Sequence, residues 1–309
     1  MSETWLVTGS EGYLGFKLIE LLKSHGVDTV TIDVAESQKS TSHSYRVDFG
    51  DEQVMETIFR SHPIKGIIHL AALKSVIESF EKPNEYMQNN FHNSVKLFEK
   101  AKKFGVERFI FASSAAIYSP SKSGHLTLET DPINSLSPYG KSKIFCERHF
   151  EFFSQSSIQC TSLRFFNLAG VSGGVAKPTG VVNLLTDCVI NGNTFFVNSN
   201  SITGQSSLTS ARDYIDVLDV ARVILKTMQE KPIKNFVTYN ISSSIGTTLG
   251  ELIVKIQEVA GREIDLQHRE TNSLEVPWMV GSNASVAAEL NWQPKIALET
   301  TIQRLLGGQ

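Results

Sequence analysis

The sequence predicts an α/β fold built on a doubly wound parallel sheet. Three observations carry this expectation: a glycine-rich turn near the N-terminus with a strand before it and a helix after it, an acidic residue ending the next strand, and regular alternation of strand and helix patterns through the first half of the chain. The 309 residues allow two domains or one large one, and 41% hydrophobic content is enough for a sizeable core.

The turn is Thr8-Gly9-Ser10-Glu11-Gly12-Tyr13-Leu14-Gly15. Thr4-Trp5-Leu6-Val7 reads as a buried strand, and Leu14, Leu18, Leu21 and Leu22 share one face of the following helix. Bare backbone N–H groups at a helix N-terminus make a site for phosphate. Gly9 permits the tight turn, Gly12 lets the backbone approach a pyrophosphate, and Gly15 lets the helix pack close to the sheet. Asp33, ending Thr29-Val30-Thr31-Ile32, lies roughly 20 residues beyond the last glycine, where a carboxylate accepts from a ribose 2′-hydroxyl and repels a 2′-phosphate. The cofactor expected is therefore NAD rather than NADP.

The alternation runs on. Strands are expected at 4–8, 28–33, 64–70, 106–112 and 158–166, with helices at 12–25, 51–61, 84–104 and 138–154; residues 37–44, 173–180 and 198–210 read as loops. Beyond residue 167 the rhythm changes. A helix fits 215–228, a strand 239–241, and Thr248 with Glu251 forms a capping box for a helix that Gly261 closes. The division expected is a dinucleotide-binding domain at 1–166, to which 206–241 returns, and a smaller lobe at 167–205 and 242–309. Trp292 reads as a packing residue of that lobe, and His69 as a packed histidine on an apolar strand.

With 29 basic and 32 acidic residues and no basic run, nothing marks a nucleic-acid surface. Neither a signal peptide nor a membrane span is visible, and Cys146, Cys160 and Cys188 are widely spaced without a metal-ligand pattern. A cytoplasmic protein with reduced thiols and no bound metal is expected.

Tyr139 and Lys143 are spaced i, i+4 on the helix that Ser137-Pro138 starts, so they share a face. An ammonium beside a phenol favours phenolate, which makes Tyr139 a candidate general base. Ser114 ends the strand Phe111-Ala112-Ser113-Ser114, and ligands of a doubly wound sheet lie at the carboxyl ends of strands.

Taken together, these residues resemble the extended short-chain dehydrogenase/reductase family, in its NAD-dependent epimerase/dehydratase division and nearest the nucleotide-sugar 4-epimerase branch. The likeness covers nearly the whole chain: Thr-Gly-x-x-Gly-x-x-Gly at 8–15, His69-Leu70-Ala71-Ala72-Leu73-Lys74, Asn89-Asn90, Ser113-Ser114-Ala115-Ala116-Ile117-Tyr118, Ser137-Pro138-Tyr139-Gly140-Lys141-Ser142-Lys143, Leu163-Arg164-Phe165-Phe166-Asn167, Arg212-Asp213-Tyr214-Ile215 and Glu289-Leu290-Asn291-Trp292. It implies a Rossmann-type sheet with a smaller, partly discontinuous C-terminal α/β substrate lobe. It also implies that Gly9, Gly12, Tyr13, Leu14 and Gly15 hold the NAD pyrophosphate, that Asp33 holds the adenosine ribose, and that Asp48 and Phe49 flank adenine. Leu70, Ala71, Ala72, Lys74, Asn89 and Phe166 line the cofactor, and Lys143 bonds the nicotinamide ribose while lowering the pKa of Tyr139. Asn167, Asn183, Leu184 and Arg212 face the nucleotide sugar, which Lys74, Ser114 and Tyr139 also meet.

The chemistry implied is oxidation at sugar C4, with hydride passing to NAD, Tyr139 taking the hydroxyl proton and Ser114 bonding the ketone. Hydride then returns to the other face. Dehydratases of the family carry an Asp-Glu pair straight after the hydroxyl residue, where this chain has Ala115-Ala116. The expected partners are a nucleotide-diphosphate sugar, a UDP-sugar foremost, and a second copy in a homodimer. The rival readings are a 4-ketoreductase and a catalytically silent NAD-binding regulator.

Several positions depart from the pattern. Asp216 replaces a histidine and is expected to point away from the site. The late Arg-x-x-Asp of relatives falls on Asn272 and Glu275, and Arg269 fills the role only if the loop shifts. Met279 stands at the gatekeeper aromatic, leaving room for an N-acetylated sugar.

Overall fold

The computed structural model describes residues 3–36, 43–154, 158–171, 180–200, 206–230, 234–271 and 276–307. The expected loop at 173–180 therefore falls almost entirely outside the described residues, as do Asn272 and Glu275.

A seven-stranded sheet, parallel throughout, forms the larger body. In chain order its strands and helices are β1 (Thr4–Thr8), α1 (Tyr13–Ser24), β2 (Thr29–Asp33), β3 (His43–Arg46), α2 (Glu52–Ser61), β4 (Ile64–His69), α3 (Val76–Glu81), α4 (Pro83–Tyr86), α5 (Asn93–Lys103), β5 (Arg108–Ser114), α6 (Pro138–Ser154) and β6 (Gln159–Phe165). With β10 (Phe236–Ile241) at one edge, strands run β10-β6-β5-β4-β1-β2-β3, so the order reverses direction beside β1, where ligands of such sheets bind. Leu6, Val7, Ile67, Ile68, Phe109 and Ile110 are buried, as expected of strands covered on both faces. Trp5 lies over Gly66, where a Cβ would come 2.5 Å from the indole ring. One side of the sheet packs against α1 and α8 (Val217–Gln229), and the other against α2, α5 and α6, where Phe98, Phe109, Phe111 and Phe150 interlock.

The long helix expected over 84–104 is α4 and α5 joined by a π-helical stretch, Met87–His92. Such widened turns mark local function; here the turn carries Asn89 and Asn90 toward β4.

The second body comprises β7 (Asn167–Ala169), α7 (Val181–Asn191), β8 (Phe195–Asn200), β9 (Ala211–Asp216), β11 (Gly246–Thr248), α9 (Leu249–Ala260), β12 (Leu266–Thr271), β13 (Trp278–Met279) and α11 (Leu298–Leu306). Its four-stranded sheet gathers β7, β9, β11 and β13, while β8 and β12 pair as a separate parallel ribbon. Of the stretch 206–241, it is α8 (Val217–Gln229) and β10 (Phe236–Ile241) that join the large sheet, whereas β9 stays in the small one. The loop expected over 198–210 is corrected at both ends: Asn198–Asn200 finish β8, and Ser207–Thr209 form a short 3₁₀ turn. Residues 43–44 open β3 rather than ending a loop.

Trp292 also needs correction. It packs with α1, α8 and Tyr239 in the core of the larger body, along with Val286 and Leu290 of α10 (Ala284–Leu290). The C-terminal segment thus returns to the larger body and covers the apolar face that α1 and α8 share.

Candidate active site

The glycine-rich turn closes on itself as its spacing demands. Gly9 has φ +73°, and a Cβ there would meet Ala71 N at 2.7 Å. A Cβ on Gly15 would come 2.0 Å from Gly9 O. The turn, α1 and the end of β4 are therefore packed backbone to backbone. Asp33 accepts from Glu11 N at 3.0 Å through one oxygen and from Ala35 N at 2.9 Å through the other, which fixes its carboxylate at the mouth of the turn. Asp48 Oδ1 accepts from Gly50 N at 2.7 Å, and Phe49 is buried with its ring edge-on to His69.

His69 is a packed histidine. Its Nδ1 meets Thr8 Oγ1 at 2.7 Å and its Nε2 meets Ser94 Oγ at 2.8 Å, and burial pushes its pKa down to about 3, so it stays neutral. The loop after β4 is held by Asn90, which accepts from Leu73 N and donates to Leu73 O, both at 2.8 Å. This holds Leu70 to Lys74 along the cleft wall; burial lowers the pKa of Lys74.

Helix α6 supplies Tyr139 and Lys143 from one buried face. Ser137 Oγ accepts from Gly140 N at 3.0 Å, capping the first turn. Lys143 Nζ donates to Ala112 O at 2.8 Å and lies 4.6 Å from the centre of the Phe111 ring. Burial lowers its pKa to about 8, against an opposing pull from Cys146 and Glu147.

The expectation that Lys143 makes the Tyr139 phenol acidic is corrected here. Burial raises the Tyr139 pKa, and the hydrogen bond with Ser114 opposes it only in part. A phenolate removed from water loses its hydration, and the ammonium is spent on a carbonyl of β5.

These groups line a single cleft of about 830 Å³. It brings together every expected cofactor residue: Gly9, Gly12, Tyr13, Leu14, Gly15, Asp33, Asp48, Phe49, Leu70, Ala71, Ala72, Lys74, Asn89, Tyr139, Lys143 and Phe166, with Ser114 and Asn167 beside them. Other expected substrate residues stand apart from its lining. Asn183 is buried, accepting from Gly170 N at 3.3 Å and donating to Gly170 O at 3.0 Å. Leu184 is exposed on α7. Arg212 Nη1 donates to Val276 O at 2.7 Å. Arg269 reaches Asn198 Oδ1 at 2.9 Å across the β8–β12 ribbon. Met279 is buried against Phe166, Tyr118 and Ala115, one layer behind the wall. Asn183, Arg212 and Arg269 are fixed by partners within the smaller body, which their position in sequence does not reveal. Asp216 caps α8, accepting from Leu218 N at 2.8 Å and from Thr301 Oγ1 at 2.7 Å, away from the cleft.

Sequence reasoning missed several members of the lining. Glu78 is one; its carboxylate accepts from the Tyr86 phenol at 3.0 Å. Val181 and Tyr214 are others, brought in by the smaller body. Tyr13 was expected at the phosphate turn, yet its phenol also donates to Gly170 O at 2.5 Å, tying the turn to that body.

The residues present fit a dinucleotide. The turn offers bare backbone that any Cβ would fill, and Asp33 presents a fixed carboxylate to a ribose. Ser113 Oγ, on a residue 3% exposed in the cleft wall, has no hydrogen-bond partner among the described residues.

A nucleotide-binding α/β enzyme with a Ser-Tyr-Lys wall is the class these features define. The chain belongs to the NAD dependent epimerase/dehydratase family, whose model matches residues 5–242. UDP-glucose 4-epimerase of Yersinia enterocolitica is 30% identical, over 96% of this chain and 95% of that protein. The solved UDP-glucose 4-epimerase of Thermotoga maritima, with UDP-glucose, superposes with a TM-score of 0.90 at 28% identity, covering 98% of this chain and 97% of that one. The Thermus thermophilus UDP-glucose 4-epimerase complexed with NAD gives 0.89 at 27% identity, covering 98% of each chain.

Proposed function

We propose that this chain is an NAD-dependent nucleotide-sugar 4-epimerase. The observation that carries the reading is the convergence of Ser114, Tyr139 and Lys143 on the cleft that also holds the glycine turn and Asp33. NAD, when bound, would supply the hydride acceptor, and the positive charge of its oxidised ring would favour the phenolate form of Tyr139. Tyr139 takes the proton of the sugar 4-hydroxyl and later returns it. Ser114 donates a hydrogen bond to the reacting oxygen, and Lys143 holds the adjacent ribose. Ala115 and Ala116 supply neither acid nor base for eliminating water, so the sugar keeps all its hydroxyls.

The smaller body, built around β7, β9, β11 and β13, is the part that retains the diphosphate while the oxidised sugar turns its other face. A UDP-sugar is the substrate that the named relatives favour. The reading includes the cytoplasm, in keeping with three free cysteines, and a homodimer, in keeping with exposed Phe145 and Phe152 on α6.

The test is turnover of UDP-galactose and UDP-N-acetylgalactosamine by purified protein without added NAD, products identified by NMR. Interconversion of the 4-epimers with NAD released on denaturation is expected. A dehydrated product, or net consumption of NADH, would refute the reading.

A further inference from the structure

Asp33 does not stand alone at the ribose end of the cleft. No arginine adjoins it in sequence, but the sheet brings one. β2 and β3 run parallel with Asp33 opposite Arg46, and Val47 N donates to Asp33 O at 2.8 Å. Side chains alternate across a strand, and opposed residues of neighbouring strands share a face. Val30 and Ile32 on β2, with Tyr45 and Val47 along β3, pack into the core on the side of α2 and α5. Asp33 and Arg46 are each one step out of phase with them. They therefore belong to the opposite face, which β1 shares through Val7 and which α1 covers.

One bond holds the Arg46 side chain at the rim of the cleft. Its Nε donates to Val34 O at 3.2 Å, and Val34 follows Asp33 in the cleft lining. Among the described residues no carboxylate forms an ion pair with it. The charges lining this end of the cleft are acidic: Glu11, Asp33 and Asp48. The cations of the lining, Lys74 and Lys143, come from the loop after β4 and from α6, and β1 and β2 separate β4 from β3. Arg46 is thus the cation placed beside Asp33.

The 2′-position of an adenosine ribose carries a hydroxyl in NAD and a phosphate in NADP. A carboxylate such as Asp33 suits the first and repels the second. A guanidinium presents paired donors that match phosphate oxygens, and such charge-assisted bonds are the strong ones. We propose that Arg46 is a cofactor-specificity residue: it partners the 2′-phosphate of NADP, so the site admits NADP as its minor nucleotide while Asp33 keeps NAD the major one. The inference rests on the reading of the cleft as a dinucleotide site and not on the fate of the sugar.

The test reads which nucleotide the protein holds. Purified protein is incubated with equal, excess NAD and NADP until the bound composition is constant. It is then freed of unbound nucleotide by gel filtration and denatured, and the released nucleotides are resolved by chromatography. Wild type should release mostly NAD with a smaller share of NADP. Arg46→Met should lower the NADP-to-NAD ratio by about tenfold or more, the loss expected when a phosphate gives up a charge-assisted partner. Arg46→Gln should do the same; the residue is exposed, so neither change disturbs the core. Asp33→Ser should raise the ratio, and Arg46→Met added to it should remove most of that gain. A merely structural role for Arg46 would lower both nucleotides together and leave the ratio where it was. A wild type that releases no NADP, or a ratio unmoved by Arg46→Met, overturns the proposal. The required ratios in a protein that leaves UDP-galactose unconverted would keep this inference and reject the proposed function.

Discussion

Replacing Lys143 with Met is expected to remove activity and yet relieve the folded state of a cost. The side chain is 2% exposed, and burial lowers its pKa from 10.5 to about 8. Between those two values the unfolded chain binds more protons than the folded one, so this group's contribution to stability rises with pH across that window. Below pH 8 the folded protein carries the whole penalty, which for this difference is about 3 kcal/mol. The substitution also deprives Ala112 O of its donor, at a cost of about 1–3 kcal/mol. At neutral pH the Met variant should therefore lie between equal stability and a gain of about 2 kcal/mol. By about pH 10.5 the relief is gone and only the lost hydrogen bond remains, so the difference between the proteins should swing by about 3 kcal/mol toward wild type. Urea unfolding followed by tryptophan fluorescence, run side by side from neutral to alkaline pH, measures this. A difference that stays constant across the window would show that Lys143 is not held in a desolvated site, and the argument would fail.

Other substitutions test other parts of the reading. Gly9→Ala forces a residue into φ +73° and a Cβ to within 2.7 Å of Ala71 N; a loss of about 2–4 kcal/mol in stability and of NAD retention is expected by thermal melting and nucleotide analysis. Tyr139→Phe should keep the fold and the bound cofactor while lowering kcat by about 10²–10⁴-fold, and unchanged turnover would remove the assigned base. Trp292→Ala should cost about 3–5 kcal/mol in urea unfolding because the indole fills the core between α1 and α8; a variant losing less than about 1 kcal/mol would contradict that packing.

What the sequence made legible was local. Gly9, Gly12 and Gly15, Asp33, and the Tyr139–Lys143 pair are short-range patterns, and each reports a backbone approach or a shared helix face that exists once the element forms. The residues expected to face substrate were less readable, because Asn183, Arg212 and Arg269 take partners that only tertiary pairing supplies: Gly170, Val276 and Asn198. The assignment of β9 was equally hidden. Its residues, Ala211 to Asp216, are half charged, so nothing in them marks a buried strand, and only pairing with β7, β11 and β13 makes them one. Trp292 shows the same limit, since the sequence marks a residue to be buried without saying in which core. The titration of Tyr139 was misread for a related reason: spacing gives a neighbour's charge, whereas desolvation depends on everything packed around the ring.

The path of the chain between its two bodies sets how the cleft can behave. It leaves the large sheet after β6, returns at Asp216 between β9 and α8, departs again beyond β10 and comes back with α10, while the Tyr13 phenol fastens the phosphate turn to Gly170. A hinge works when one or two strands of backbone flex together, and here several would have to bend in concert. Such a molecule trades wide opening for constancy of shape. On the proposed function, that constancy of shape favours retention of the oxidised sugar until it is reduced.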